Sequence, residues 1–253
     1  MKAHNLLGFR LPKDTKKLVL EKIKKNITVD REFQHVVSLN PEIITAALRD
    51  KNFKDVILSS QIAIIDGTGV IIGAKILDVP VGERITGTDL MHELMDLAGE
   101  MSLTVVLIGG NGNVADDIAK CYQKKYPEAS FTGFEGFKNI HEPTEDEKKH
   151  LNSIVTAARP SLVFVSFGSP AQELWIERHK SIFRNSTVIG VGGAFDFLSG
   201  RVSRAPQIIR SLGFEWLYRL ILQPWRWKRQ LNLLTFLYLV LMQRFDFITV
   251  DSN

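Results

Sequence analysis

The chain holds a single cysteine, Cys121, among its 253 residues. A lone cysteine excludes an internal disulfide, suits a reducing compartment and cannot build a zinc site. The six histidines include no H-x-x-x-H pair. There is no G-x-x-x-x-G-K and no G-x-S-x-G, which argues against P-loop and α/β-hydrolase chemistry. The opening MKAHNLLGFRLPKD has no apolar run of signal-peptide length, so export is not expected. An uncharged stretch near the end, residues 230–243, spans 14 residues, short of the ~20 that cross a bilayer. No repeat of 20–50 residues and no low-complexity tract is visible.

What is present is enough for a large core: 45% of residues are hydrophobic and 24% charged, which is not a disordered composition. The net charge of +4 is unevenly placed. Residues 201–253 carry eight Lys/Arg against three Asp/Glu, and three of the four tryptophans. The first 200 residues are close to neutral. This asymmetry divides the chain into an α/β catalytic body, 1–200, and a basic, Trp-rich appendage, 201–253. Arginine and tryptophan beside an uncharged stretch suit a segment lying in a membrane interface. A helix buried against the core or in a dimer is the other reading, and it leaves room for a homo-oligomer. No RNP-type motif supports nucleic-acid binding.

Short apolar runs alternate with longer helical patterns. Strands are expected at 35–40, 61–66, 103–110, 130–136, 162–168 and 186–193. Helices are expected at 41–50, 88–101, 114–125, 144–158 and 171–180, with a short amphipathic helix in the basic lead-in around VLEKIKK. Thr144 with Glu147 forms a capping box, and Asn40-Pro41 reads as an N-cap followed by proline at the first helical position. The alternation indicates βαβ units: a Rossmann-like, doubly wound, mostly parallel sheet with helices on both faces. Ligands of such sheets bind beyond the carboxyl ends of the strands. Those ends hold Ser38, Asn40, Asp66, Gly109, Gly110, Gly168 to Gln172, and Gly190 to Gly193.

Four stretches carry candidate chemistry. GGNGNVA (109–115) contains G-x-G-x-x-A between a strand and a helix, a diphosphate cradle or a plain tight turn. IAIIDGTG (62–69) places Asp66 at a strand end, where it can act as a base or cap a helix. GERITGTDL (82–90) offers Arg84 before a helix capped near Thr88; its planar fork fits a phosphate or carboxylate, or an ordinary surface salt bridge. SFGSPAQELWI (166–176) sets Gln172 and Glu173 side by side at a strand-to-helix corner.

SLNPEI, IIDGTGV, GERITGTDL, SFGSPAQELWI, GVGGAFDFLSGRVSRAPQ and GFEWLYRLILQPWRWKRQ, in that order, resemble the WecG/TagA/CpsF glycosyltransferases over residues 35 to 232. The resemblance implies inverting transfer of N-acetylmannosamine, or a related hexose or uronic acid, from a UDP-sugar to an undecaprenyl-diphosphate-linked acceptor. It places the enzyme on the cytoplasmic face of the bacterial plasma membrane, in teichoic acid or surface polysaccharide synthesis, and the basic tail adds the expectation of peripheral binding to anionic lipid. The family's proposed base carries over to Asp66, its hydroxyl and asparagine to Ser38 and Asn40, and its glutamine to Gln172. Serine stands where many members have threonine. The family's basic appendage is matched by Arg219, Arg226 and Arg229, with Trp225 and Trp227 between them.

Inverting transfer asks for a base on the acceptor hydroxyl and fixed donors for the leaving diphosphate. Glycine-loop amides at Gly109, Gly110, Gly168 and Gly192, together with Gln172, Arg84 and the tail arginines, are the candidate donors. No two aspartates are spaced D-x-D, so neither a metal nor another cofactor is expected. Glu173 reads as a cap or structural acid. Two competing readings are a nicotinamide-dependent oxidoreductase built on GGNGNVA and a non-catalytic nucleotide-sugar sensor.

Overall fold

The computed structural model describes residues 5–137, 139–140, 142–211, 213–224 and 227–248. All six expected strands form: β1 (Gln34–Leu39), β2 (Ile62–Ile65), β3 (Thr104–Gly109), β4 (Ser130–Phe134), β5 (Leu162–Ser166) and β6 (Thr187–Gly190). They pair side by side in the order β2-β1-β6-β5-β3-β4, every pair parallel. The strands read as continuous apolar runs because both sheet faces are covered. Alternation within each run still decides the face. Val36, Val105 and Leu107 enter one buried cluster, whereas Val37, Leu39, Val106 and Ile108 enter the clusters on the other side.

The helices are α1 (Lys16–Lys25), α2 (Pro41–Arg49), α3 (Lys51–Ser59), α4 (Thr68–Ile76), α5 (Gly87–Glu100), α6 (Val114–Lys125), α7 (Glu145–Ala158), α8 (Ala171–Arg178), α9 (Ala194–Leu198), α10 (Gln207–Ser211), α11 (Glu215–Leu222) and α12 (Trp227–Arg244). Asn40 caps α2, its Oδ1 accepting from the Ile43 N–H at 2.9 Å. Thr144 and Glu147 close the capping box at the start of α7. The cap of α5 is Thr86 rather than Thr88: its hydroxyl accepts from the Asp89 N–H at 3.1 Å. Sequence patterning missed α3 and α4. Asp50 ends α2 and caps α3 in one residue, leaving no loop to signal a second helix. The other, α4, is a glycine-bearing apolar run, and Gly73 is there for packing: a Cβ would come within 3.0 Å of Phe236.

That contact belongs to the tail. α12 lies against α2 and α4, with Phe236 and Val240 fully buried in the same cluster as Leu6, Leu7 and Phe9. Gln243 ties the N-terminal loop to α12, accepting from the Leu7 N–H at 2.8 Å and donating to the Asn5 carbonyl at 3.1 Å. The opposite face carries Trp227, Leu231, Leu234, Tyr238, Leu241 and Phe245, all exposed. One apolar stripe of α12 thus meets the body while a second, at three- and four-residue steps, faces outward. Among the described residues no helix is long and apolar enough to cross a membrane.

Candidate active site

The strand order determines which loops can meet. The carboxyl ends of β2, β1, β6 and β5 stand next to one another, and beyond them opens a cleft of ≈ 610 Å³. Ser38, Asn40, Asp66, Arg84, Gly168, Gln172, Gly192 and Arg219 all line it. The chain turns off the sheet at Asp66, whose N–H donates to the Leu39 carbonyl at 3.0 Å. Residues 84–85 run parallel beside β2, the Ile85 N–H donating to the Ile65 carbonyl at 2.7 Å. Arg84 and the start of α5 are thereby brought to the Asp66 corner.

Asp66 is not a helix cap: Gly67 occupies the N-cap of α4, and no side chain caps that helix. Its carboxylate accepts the backbone N–H of Gly87 instead. Burial pushes the Asp66 carboxyl up to about 6; the Gly87 amide and Arg84 oppose the rise, and Glu215 and Asp89 add to it. A carboxylate poised near neutrality suits proton abstraction. Ser38 stands close by, since a Cβ on Gly87 would lie 3.5 Å from its Oγ and 3.7 Å from Asp66 Oδ2. Asn40 lines the cleft, but its Oδ1 is engaged in capping α2.

Two arginines bring positive charge. Arg84 donates to Thr68 Oγ1 at 3.0 Å and to the Arg210 carbonyl at 3.3 Å. Arg219, from α11, lies 3.5 Å from Asp196 and stacks over the Phe197 ring at 4.7 Å. Its guanidinium rests on Gly193, where any side chain would collide with it. The tail therefore supplies one wall of the cleft: Phe214, Glu215, Trp216 and Arg219, with Leu233 and Leu237 of α12. Arg204 fixes that wall, reaching Glu215 at 3.2 Å, Asp89 at 2.6 Å and Thr86 at 3.3 Å. Sequence reasoning missed Thr68, Arg204 and Glu215. All three lie inside the motifs that carry the resemblance, IIDGTGV, GVGGAFDFLSGRVSRAPQ and GFEWLYRLILQPWRWKRQ.

Other expected residues fall elsewhere. Gly109 and Gly110 end β3, one strand beyond β5, and do not line the cleft. Their positive φ values, 96° and 84°, serve close packing, a Cβ on Gly109 meeting the Ser166 carbonyl at 2.7 Å. Trp227 is exposed at the start of α12 and does not line the cleft either. Trp225 and Arg226 lie outside the described residues; of Arg229 only the backbone, within α12, is described. Among the described residues no group of three His, Cys, Asp or Glu could hold a metal ion.

An all-parallel sheet with a charged cleft beyond its carboxyl ends and an elevated carboxylate at a strand end defines a Rossmann-like α/β enzyme. Comparison with known proteins names the kind: the chain belongs to the glycosyl transferase WecG/TagA/CpsF family, whose model matches residues 4–249. It is therefore a glycosyltransferase. A relative from Bacillus subtilis (strain 168) is 35% identical over 207 residues, covering 81% of this chain and 78% of its own. One from Staphylococcus aureus (strain NCTC 8325 / PS 47) is 31% identical over 228 residues, 89% of this chain and 85% of its own. Both are named N-acetylglucosaminyldiphosphoundecaprenol N-acetyl-beta-D-mannosaminyltransferase.

Proposed function

We propose that this chain transfers N-acetylmannosamine from a UDP-sugar, with inversion, to N-acetylglucosamine carried on undecaprenyl diphosphate. The observation that carries this reading is the Asp66 carboxyl, raised to about 6 within a cleft that Arg84 and Arg219 also line. Asp66 takes the proton of the acceptor hydroxyl as its oxygen bonds to the anomeric carbon. The bond from that carbon to the diphosphate breaks, and UDP leaves with the electron pair. Arg84 and Arg219 offset the charge that develops on the diphosphate. Incubating the protein with a panel of UDP-sugars and a short-chain lipid-diphosphate-N-acetylglucosamine acceptor tests it. Transfer from UDP-N-acetylmannosamine is expected, and transfer from a different sugar alone overturns the assignment.

The acceptor's lipid tail places this reaction at a membrane surface, with the enzyme peripheral on its cytoplasmic side. Support comes from the outer stripe of α12 and from Ile72, exposed on α4 yet lining the cleft. An apolar rim continuous with the cleft lets the lipid stay in the bilayer while its diphosphate enters. Each basic residue near an anionic leaflet adds ~1 kcal/mol of attraction, screened within ~8 Å at physiological salt. Vesicle binding should weaken as salt rises and keep a salt-resistant remainder from the apolar stripe.

A further inference from the structure

Gln172 lines the cleft, yet it is only 3% exposed and its amide is engaged inward. Its Oε1 accepts two backbone N–H groups, from Gly168 at 3.2 Å and from Gly192 at 3.1 Å. Those amides belong to different loops, one following β5 and the other following β6. Its Nε2 donates to Glu173 Oε1 at 2.7 Å. A second tie joins the same loops, Ser166 Oγ donating to the Gly192 carbonyl at 2.6 Å. The pair sits directly on the end of β6: a Cβ on Gly190 would come within 2.6 Å of Gln172 Nε2 and 3.1 Å of Glu173 Oε1.

A carboxamide has a donor end and an acceptor end, so its orientation carries information. Turned over, Gln172 would aim its NH₂ at two N–H donors and its oxygen at a carboxyl oxygen. Glu173 excludes that state by accepting from Nε2. It is 1% exposed, and burial pushes its carboxyl above the usual range. The contact to Gln172 persists whether or not Glu173 is ionised, because a protonated carboxyl still has an accepting oxygen.

We infer that Glu173 is a positioning residue for the transfer reaction: it orients the Gln172 carboxamide, which clasps the Gly168 and Gly192 loops together as the floor of the donor site. The inference rests on the glycosyltransferase reading and adds how that floor is held. It also removes two donors expected from sequence. The Gly168 and Gly192 amides are used by Gln172, so the diphosphate depends on Arg84 and Arg219.

Exchanging the two residues tests this. Gln172→Glu alone sets two buried carboxyl groups against each other. It should raise the UDP dissociation constant and the donor KM about tenfold or more, the scale of one broken charge-assisted contact. It should also bind UDP better as pH falls, because a shared proton restores the donor between the two groups. In the double exchange Gln172→Glu/Glu173→Gln, the new carboxylate accepts from Gly168, Gly192 and the new amide. UDP affinity should return to within a few-fold of wild type, without the pH dependence. Glu173→Met, which leaves Nε2 without its acceptor and so loosens the clasp, should raise donor KM while keeping most of kcat, and remains readable if Gln172→Glu does not fold. A folded double exchange that binds no better than Gln172→Glu would mean that the Gln172 amide touches substrate, and overturns the inference. Normal donor KM in folded Glu173→Met reduces the pair to a packing contact and overturns it as well. Wild-type protein that fails to bind UDP overturns the donor reading itself, and the inference with it.

Discussion

Arg204 donates to Asp89 at 2.6 Å and so pins the segment entering the tail to the first turn of α5. The same guanidinium reaches Glu215 on α11 at 3.2 Å. Burial disfavours the ionised Asp89, but the Arg204 and Thr86 hydrogen bonds hold its carboxyl below the usual range. One side chain thus joins the helix that supplies Gly87 to the Asp66 carboxylate and the wall that carries Arg219.

Replacing Arg204 should therefore affect more than stability. Arg204→Ala leaves partly buried Asp89 and Glu215 without their shared cation, a loss of about 1–3 kcal/mol. Transfer should fall further than melting alone explains, because Glu215 and Trp216 lose their anchor. Lysine cannot span three partners with one ammonium, so Arg204→Lys should resemble alanine more than wild type. Thermal melting and initial rates on one preparation check both points.

Asp66→Asn should lose roughly 10²–10⁴-fold in turnover while keeping UDP affinity. Wild-type transfer should climb as pH rises through about 6, where Asp66 becomes ionised. The raised carboxyl also means that the folded state binds more protons than the unfolded one between pH 3.8 and about 6. Ionised Asp66 therefore lowers stability above that window, and Asp66→Asn should melt higher at pH 8. Glu215 adds to the Asp66 elevation, so Glu215→Gln should move the acidic limb of the rate profile to lower pH. Near-normal turnover of Asp66→Asn would remove it from the mechanism.

His35 works in the opposite sense. It is 1% exposed, its ring nitrogens find no hydrogen-bond partner among the described residues, and burial pulls it down to about 4. Here the unfolded chain binds the extra proton between pH 6.5 and about 4. Stability should fall as pH drops through that window, by up to ~3 kcal/mol. Denaturant midpoints from pH 7 to 4 should show this slope in wild type and a shallower one in His35→Leu.

Catalysis should survive chelation. The chain has no D-x-D, and Arg84 and Arg219 line the cleft where a diphosphate would need countercharge. Transfer that vanishes with EDTA and returns with Mn²⁺ would refute this.

The sheet was legible because each strand is an apolar run bounded by glycine or polar residues, and α6 and α7 announce themselves by periodicity and caps. Asp66 and Ser38 could be grouped from strand ends alone, whereas Arg84 stood out only as a cation in a polar loop before a helix. What sequence could not supply was adjacency. GGNGNVA looks like a ligand loop, yet β3 stands just outside the four strands whose ends border the cleft. Gln172 reads as a substrate contact from its corner position, and nothing in the sequence shows that its amide also clasps two loops. Composition set the tail apart as an appendage, and the outer stripe of α12 does face outward. Its inner stripe instead completes the core, so a chain ended at Gly213 should not fold as a free body. It strips Phe236 and Val240 from α2 and α4, each burial worth ~1.5–3 kcal/mol. Lower melting and a tendency to aggregate, read by light scattering, are expected.

The packing of α12 on α2 also sets a timetable for the chain's birth. Thr45 on α2 donates to the carbonyl of Asn232 at 3.4 Å, across 187 residues. A nascent chain therefore displays the apolar side of α2 and α4 while the residues between Thr45 and Asn232 are still being made. Contacts of such sequence separation form late, and surfaces that await them are where nascent chains go astray. Maturation should depend on chaperone capacity during synthesis, and a ribosome stalled before Trp227 should leave a product that is quickly degraded.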